Sequence, residues 1–143
     1  MIVVDASVAA KWYLHEQGSE DASALLTTPQ PLVAPSLIRV EVTGAIVRRH
    51  REGLLSRERV FEACELWEAD LARGAVRLIP TPQLLPAARR IAVDIRHPIQ
   101  DCLYLAAALA NHGVPLVTAD RKFHDRAGPA FPFVELRGAA WPQ

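Results

Sequence analysis

The sequence predicts an α/β fold, with a central parallel sheet of about five strands flanked by helices on both faces. Two observations carry this prediction. Short aliphatic runs alternate along the chain with segments whose apolar residues have helical spacing. The 143 residues are also of single-domain length, and 50% of them are hydrophobic, which is enough for one core. We therefore expect one domain over residues 1–143.

Five short runs rich in valine, isoleucine and leucine are the predicted strands. Proline, glycine or polar residues separate them from the helical segments. Their lack of polar alternation is typical of a parallel sheet that is covered on both faces. The predicted strands cover residues 2–4, 31–35, 76–79, 116–118 and 133–136.

Helical segments fill the intervals between the strands. Ser36 and Ser56 precede two of them and are the predicted N-caps, because a serine hydroxyl there accepts a hydrogen bond from the first turn. Pro98 stands where another helix begins, and that helix is apolar on nearly every side, so we expect it to be buried. The predicted helices cover approximately residues 8–14, 19–26, 37–52, 57–73, a segment that ends near 96, 99–111 and 120–126.

Composition and charge exclude several classes of protein. The 16 basic and 16 acidic side chains give a net charge of zero, so any binding of nucleic acid must be local. The longest apolar run, residues 102–110, is about half as long as a membrane-spanning helix. No leader sequence is visible, and we expect a cytoplasmic protein without membrane contact. Cys64 and Cys102 follow no metal-ligand spacing and are expected to be reduced and buried.

Four carboxylates stand where predicted strands are followed by helices. Asp5 ends the first strand, Glu41 lies about one turn into the helix after the second, Asp101 is in the first turn of the buried helix, and Asp120 follows the fourth strand. Taken singly, each has an ordinary explanation as a helix cap, a first-turn acid or a solvent-facing side chain. Taken together, we expect them to converge at the edge of the sheet where α/β proteins bind ligands.

Converging carboxylates repel one another unless a cation neutralises them, and the nearby motifs offer no lysine or arginine to each. Ligands that are all oxygen select the hard ions Mg²⁺ or Mn²⁺. Ser7 and Thr118 lie near the same edge, and their hydroxyls can orient a carboxylate or a water on the metal. Local turn or strand-end hydrogen bonds are the equally good alternative for both hydroxyls.

These residues lie in four ordered segments that span nearly the whole chain. The segments are residues 5–8 (DASV), 41–45 (EVTGA) after Pro35, 100–108 (QDCLYLAAA) and 113–123 (GVPLVTADRKF). Together they resemble the PIN domain, and most closely its bacterial and archaeal VapC group, the ribonuclease toxins of type II toxin-antitoxin modules. Gly44 is a departure, since the family often has asparagine there, and it affects helix packing more than metal binding.

The resemblance implies a Mg²⁺- or Mn²⁺-dependent endoribonuclease that is the toxin of a type II toxin-antitoxin system. It implies that Asp5, Glu41, Asp101 and Asp120 are the metal-binding and catalytic residues. One or two ions held there would polarise the scissile phosphate of an RNA substrate and activate a water for in-line attack. The resemblance further implies a homodimer and a cognate antitoxin protein that covers the site.

Basic and histidine residues carry weaker indications. Arg48, Arg49 and Arg51 form a cluster that can hold an RNA backbone, because arginine contacts to phosphate supply affinity without reading sequence. A solvated helix end is the alternative. The five histidines share no ligand spacing, so none is assigned to a metal, and only His97 is placed near the four acids.

Three other functions were weighed against the nuclease. A phosphatase of the haloacid dehalogenase type also has an aspartate after its first strand and binds Mg²⁺, but it needs a second acid two residues on, where this chain has Ser7. A receiver domain needs its phosphorylated aspartate after the third strand, where this chain has Pro80. A PIN-like module that binds RNA or a partner without cutting is the third, and the presence of all four acids does not favour it.

Overall fold

Five parallel strands form one sheet in the structure, a computed structural model that describes residues 1–139. The strands are β1 (Ile2–Val4), β2 (Leu32–Pro35), β3 (Arg77–Ile79), β4 (Leu116–Thr118) and β5 (Val134–Leu136). Each differs from its predicted bounds by no more than one residue. The predicted α/β fold with a parallel sheet is therefore confirmed.

The strands are arranged across the sheet in the order β3-β2-β1-β4-β5. The chain builds outward from β1 through β2 and β3, and then crosses back to add β4 and β5 on the other side. Val3 at the centre is in register with Val33 of β2 and with Leu116 of β4. The change of direction lies between β1 and β4, and ligands of open α/β sheets bind at such a point, beyond the carboxyl ends of the strands.

Seven α-helices and two short 3₁₀ segments connect the strands within the part of the chain that the structure describes. None of these helices is long and apolar enough to cross a membrane. The helices are α1 (Ala6–Ala9), α2 (Ser19–Ser23), α3 (Ile38–Arg51), α4 (Arg57–Ala72), α5 (Thr81–Ile95), α6 (Ile99–Ala110) and α7 (Arg121–Ala127), and the 3₁₀ segments are Ala10–Trp12 and Ala24–Thr27.

The prediction that Ser36 caps α3 is wrong, whereas Ser56 caps α4 as predicted by accepting a hydrogen bond from the Arg59 N–H (3.3 Å). The Ser36 hydroxyl instead accepts from the Thr81 N–H (3.0 Å), and the Thr81 hydroxyl accepts from the Leu37 N–H (3.0 Å). β2 and β3 are neighbours, so the turns that follow them lie side by side. The two hydroxyls therefore join the beginnings of α3 and α5.

The core is built on the sheet and on α6, whose residues 102–108 are all buried, as the sequence predicts. α6 packs against β1, β2 and β4 and against α5. Trp67, Tyr104 and Phe123 are the largest fully buried side chains. Both cysteines are free thiols, and Cys102 is buried as predicted. The prediction that Cys64 is also buried is wrong, because it is only half-buried on α4.

Candidate active site

The structure places all four predicted acids at the carboxyl edge of the sheet. Asp5 directly follows β1 and Asp120 lies two residues after β4, so they flank the change of strand direction. Glu41 is in the first turn of α3, and Asp101 is in the first turn of α6. Repulsion from Asp101 and Glu41 contributes to a raised pKa of Asp5, and repulsion from Asp120 does the same for Asp101. The four carboxylates therefore act on one another electrostatically.

Asp5 is the most deeply buried of the four, with only 5% of its surface exposed. It occupies the N-cap position of α1, but its side chain does not cap that helix. Its Oδ2 atom instead accepts hydrogen bonds from Thr118 Oγ1 (2.6 Å) and Ser7 Oγ (2.9 Å). Burial, more than the neighbouring acids, raises the pKa of Asp5 from 3.8 to about 7.

Ser7 and Thr118 both orient a carboxylate, and both also hold the backbone after β4. The Ser7 hydroxyl accepts from the Ala119 N–H (2.9 Å), and the Thr118 hydroxyl accepts from the Asp120 N–H (3.1 Å). The two hydroxyl oxygens lie 3.2 Å apart. This network fixes the position of Asp5 relative to the segment that carries Asp120.

Glu41 has a partner that the sequence analysis missed. The fully buried Tyr104 donates its hydroxyl proton to Glu41 Oε1 at 2.6 Å. Burial raises the pKa of Glu41, the hydrogen bond from Tyr104 opposes this, and the charge of Asp101 adds to it. Burial also raises the pKa of Tyr104, so the phenol keeps its proton. The available signal was a phenol within the otherwise apolar run of α6, since a buried tyrosine hydroxyl requires a partner.

Asp101 is held by His97, whose Nε2 lies 2.6 Å from Asp101 Oδ2. The His97 side chain is only 13% exposed, and its ring stacks on Phe123 with centroids 5.4 Å apart. Burial raises the pKa of Asp101, while the hydrogen bond and charge of His97 lower it. The sequence analysis placed His97 near the site without assigning it a partner, although the spacing of four residues across the start of α6 indicates one.

Asp120 caps α7, which is the ordinary explanation for an acid at this position, and it also lies at the same edge of the sheet as the other three acids. It is exposed, and its Oδ1 atom accepts a hydrogen bond from the Phe123 N–H (3.1 Å), which caps α7. Its position after β4 also keeps it at the edge shared with the other three acids. Capping uses only one of its two carboxylate oxygens.

In all four acids, the two oxygens of the carboxylate differ in their hydrogen bonding. In each, one oxygen accepts hydrogen bonds and the other accepts none from residues 1–139. Neither Asp5 nor Glu41 pairs with a lysine or arginine in this part of the chain. The second oxygens are Asp5 Oδ1, Glu41 Oε2, Asp101 Oδ1 and Asp120 Oδ2.

These side chains fit a hard divalent cation in chemistry and in charge. All the unused atoms are carboxylate oxygens, which Mg²⁺ and Mn²⁺ prefer. Within residues 1–139, no group of three or more Asp, Glu, His or Cys side chains is close enough to hold a metal by itself. Mg²⁺ in proteins is usually bound through one or two carboxylates and keeps several of its waters, so a site of that kind needs fewer than three of these side chains at once.

A cleft of about 300 Å³ adjoins Asp120 and Ser7, and we call it the basic cleft because Lys11, Arg48 and Arg49 line it together with one further acid, Glu16. Arg51, the third arginine of the predicted RNA-binding cluster, is exposed and does not line this cleft.

Two of the basic side chains in the cleft, Lys11 and Arg49, pair with the same acid, Glu16. Glu16 Oε2 accepts from Arg49 Nε (3.0 Å), and Glu16 Oε1 accepts from Lys11 Nζ (3.1 Å). Burial acts to raise the pKa of Glu16, but these hydrogen bonds from Arg49 and Lys11 hold it below its ordinary value. Arg48 pairs with Glu52 at 3.1 Å. The sequence analysis missed Lys11 and Glu16, because neither belongs to a recognisable motif.

Comparison with known proteins finds one matching family model and one curated relative that covers most of this chain. The family model of the PIN domain matches residues 2–129. Ribonuclease VapC3 of Pyrobaculum aerophilum is 29% identical over 126 residues, which is 87% of this chain and 93% of that protein.

Two solved structures share the fold. The toxin-antitoxin complex from Klebsiella pneumoniae contains a chain with a TM-score of 0.62 and 16% identity, and the match covers 94% of this chain and 96% of that one. VapC20 of Mycobacterium tuberculosis, described as a Sarcin-Ricin loop cleaving toxin, has a TM-score of 0.67 and 17% identity, covering 87% of this chain and 94% of that one. At these identities, the likeness establishes the fold.

Proposed function

Because this chain belongs to the PIN domain family, we propose that it is a Mg²⁺- or Mn²⁺-dependent endoribonuclease and the toxin of a type II toxin-antitoxin system. We further propose that residues 1–143 form one PIN domain and that the protein acts in the cytoplasm, where its RNA substrate is found. The observation that carries the proposal is the set of four electrostatically coupled carboxylates at the carboxyl edge of the sheet. The name of the Pyrobaculum relative, a ribonuclease, supports the same activity.

Asp5, Glu41, Asp101 and Asp120 are the proposed metal-binding and catalytic residues. A bound divalent cation supplies positive charge to the scissile phosphate and lowers the pKa of water, which makes hydroxide available near neutral pH. Each acid offers one oxygen that accepts no hydrogen bond from residues 1–139, and that oxygen would be the one available to a metal.

Ser7 and Thr118 act on the site through Asp5. Their hydroxyls bond to the same oxygen, Oδ2, and stabilise the ionised form of a carboxylate that burial would otherwise keep protonated. They also fix which of the two Asp5 oxygens, Oδ2, is used for hydrogen bonds within the chain. Both residues are therefore proposed to support metal binding without contacting the metal.

Arg48, Arg49 and Lys11 are the proposed contacts to the RNA backbone, because they line the cleft that contains Asp120. The chain has no net charge, so a local basic wall is the feature that supports binding of a polyanion. Arg51 was grouped with Arg48 and Arg49 in sequence, and it is proposed only as a peripheral contact, since it lies outside this cleft.

A cognate antitoxin protein and a second copy of the chain are the proposed partners. The neighbour from Klebsiella pneumoniae is a toxin-antitoxin complex, which supports an antitoxin here. Homodimerisation is proposed on the family resemblance.

The strand order argues against the receiver domain, since that fold has the order 2-1-3-4-5, whereas this sheet has the order 3-2-1-4-5. β3 is an edge strand here, far from a central phosphorylation site. The phosphatase alternative is also weakened, because Ser7, at the position of the required general acid, is hydrogen-bonded to Asp5.

Cleavage of a mixed RNA pool by the purified protein tests the proposal. We expect cleavage with Mg²⁺ or Mn²⁺, none with EDTA, and a loss of at least about 100-fold in Asp120→Asn, because that change removes a metal ligand. Asparagine is as good an N-cap as aspartate, so α7 is preserved in this variant.

Asp125→Asn is the matched control, since it removes an acid of the same helix that is 78% exposed and pairs with His124. This variant should cut at the wild-type rate. Cleavage that persists in EDTA, or that survives in Asp120→Asn, would contradict the proposal.

A further inference from the structure

Tyr104 joins two helices of the site through its hydroxyl group. It lies in α6 three residues after Asp101, and its hydroxyl donates to Glu41 Oε1 of α3 at 2.6 Å. The ring itself is fully buried. A buried phenol with this partner is held in one place and can in turn hold the group to which it donates.

Glu41 is the acid that most needs such support. Its side chain has one more rotatable bond than that of an aspartate, and it begins near the start of a helix, from which it can reach solvent. The charge of Asp101 repels it. Asp5 is held by two hydroxyls, Asp101 by His97 and Asp120 by a backbone N–H, whereas within residues 1–139 Tyr104 is the one hydrogen-bond donor to the Glu41 side chain.

We propose that Tyr104 is a positioning residue that binds Oε1 of Glu41 and thereby presents Oε2 to the divalent cation. This inference rests on the proposed function, because it needs Glu41 to be a metal ligand. Tyr104 contacts neither metal nor RNA in this account and acts only through Glu41. A purely structural role for the hydroxyl predicts a change in stability without a change in metal affinity.

Calorimetric titration of the purified protein with Mn²⁺ distinguishes a positioning role of Tyr104 from a purely structural one, and it requires no RNA substrate. The variants are Tyr104→Phe, Glu41→Gln and the double variant. We expect Tyr104→Phe to weaken Mn²⁺ binding about tenfold, as is typical when a group that orients a metal ligand is removed. In the Glu41→Gln background, the same change should have no further effect, because the group through which Tyr104 acts is already lost.

Tyr13→Phe is the matched control. Tyr13 also donates its hydroxyl proton to a carboxylate, Asp70 Oδ2 at 2.5 Å, but Asp70 is not one of the four acids. This variant loses the same kind of hydrogen bond and should bind Mn²⁺ as the wild type does.

The outcomes distinguish this inference from the proposed function. A wild-type protein that binds no Mn²⁺ overturns the proposed function. If the wild type binds Mn²⁺ and Tyr104→Phe binds it equally well, the positioning role alone is overturned. The same holds if Tyr104→Phe weakens Mn²⁺ binding tenfold in the Glu41→Gln background too.

If Tyr104→Phe melts below the assay temperature, the three variants and the wild type are titrated together at a temperature below its melting point. Undiminished Mn²⁺ binding by Tyr104→Phe would overturn the inference there as well.

Discussion

Replacing Asp5 with asparagine is expected to stabilise the protein above neutral pH when divalent cations are removed. Burial raises the pKa of Asp5 from 3.8 to about 7 in the folded chain, and the charges of Asp101 and Glu41 add to this effect. Unfolding returns the carboxyl to water, where its pKa is again 3.8. Asparagine has nearly the same shape, carries no charge at any pH, and keeps an oxygen that accepts from Ser7 and Thr118.

The size of the effect follows from these two pKa values. Below pH 3.8 the carboxyl is protonated in both states, so it carries no penalty. As the pH rises toward 7, the unfolded chain releases the proton first, and ionisation therefore favours unfolding. Above about pH 7 the ionised carboxyl lowers the free energy of unfolding by the full amount. This amount is about 4 kcal/mol, at about 1.36 kcal/mol per pKa unit. For a chain of this length, that corresponds to about 13 °C in melting temperature.

The assay is thermal and guanidinium unfolding of wild type and Asp5→Asn in EDTA, followed by circular dichroism from about pH 4 to about pH 9. Asp125→Asn is the control for removing an exposed carboxylate. The gap in free energy of unfolding between Asp5→Asn and wild type should widen with pH, whereas the control should show no such trend. A gap that stays constant, or an Asp5→Asn variant that is less stable at pH 8, would refute the reasoning and make the carboxylate a structural group.

Three further predictions concern the other acids and the basic cleft. Asp101→Asn should abolish RNA cleavage while its melting temperature holds or rises, because one of several repelling charges is removed; a large fall in melting temperature would instead indicate a structural acid. Mn²⁺ at about 100 times its Kd should raise the free energy of unfolding of the wild type by about 2.7 kcal/mol, and EDTA should reverse this; the absence of any shift would contradict metal binding. In a filter-binding assay, Arg49→Ala should weaken RNA binding and lower its salt dependence by about one phosphate contact. Glu16→Gln should strengthen RNA binding in the same assay, because it releases Arg49 and Lys11. If both variants bound RNA with the affinity of the wild type, RNA would not bind along this cleft.

The strands and the four acids were predictable because both depend on short stretches of sequence. An aliphatic run such as residues 2–4 indicates a buried strand, and a polar residue at its end lies at the carboxyl edge whatever the order of the strands. Burial of α6 was predictable for the same reason, since its apolar residues occupy every face.

The partners of the acids were harder to predict, because they depend on which distant segments meet. Tyr104 and Glu41 are 63 residues apart, and Ser36 and Thr81 are 45 residues apart. Their hydrogen bonds follow from the order of strands in the sheet, which local sequence does not encode. The misassigned cap at Ser36 has this cause, since its hydroxyl was nearer to a neighbouring turn than to its own helix.

The pairing of β1 with β4 has a consequence for the synthesis of the chain. The hydrogen bond between Thr118 and Asp5 spans 113 residues, so the environment of Asp5 is completed by a segment that the ribosome makes long after β1. Contacts of such long range also form slowly during folding. A nascent or truncated chain that stops before residue 118 therefore lacks both the hydroxyl that holds Asp5 and the acid at position 120. Any activity of this edge of the sheet that needs both acids can therefore begin only after residue 120 has been made.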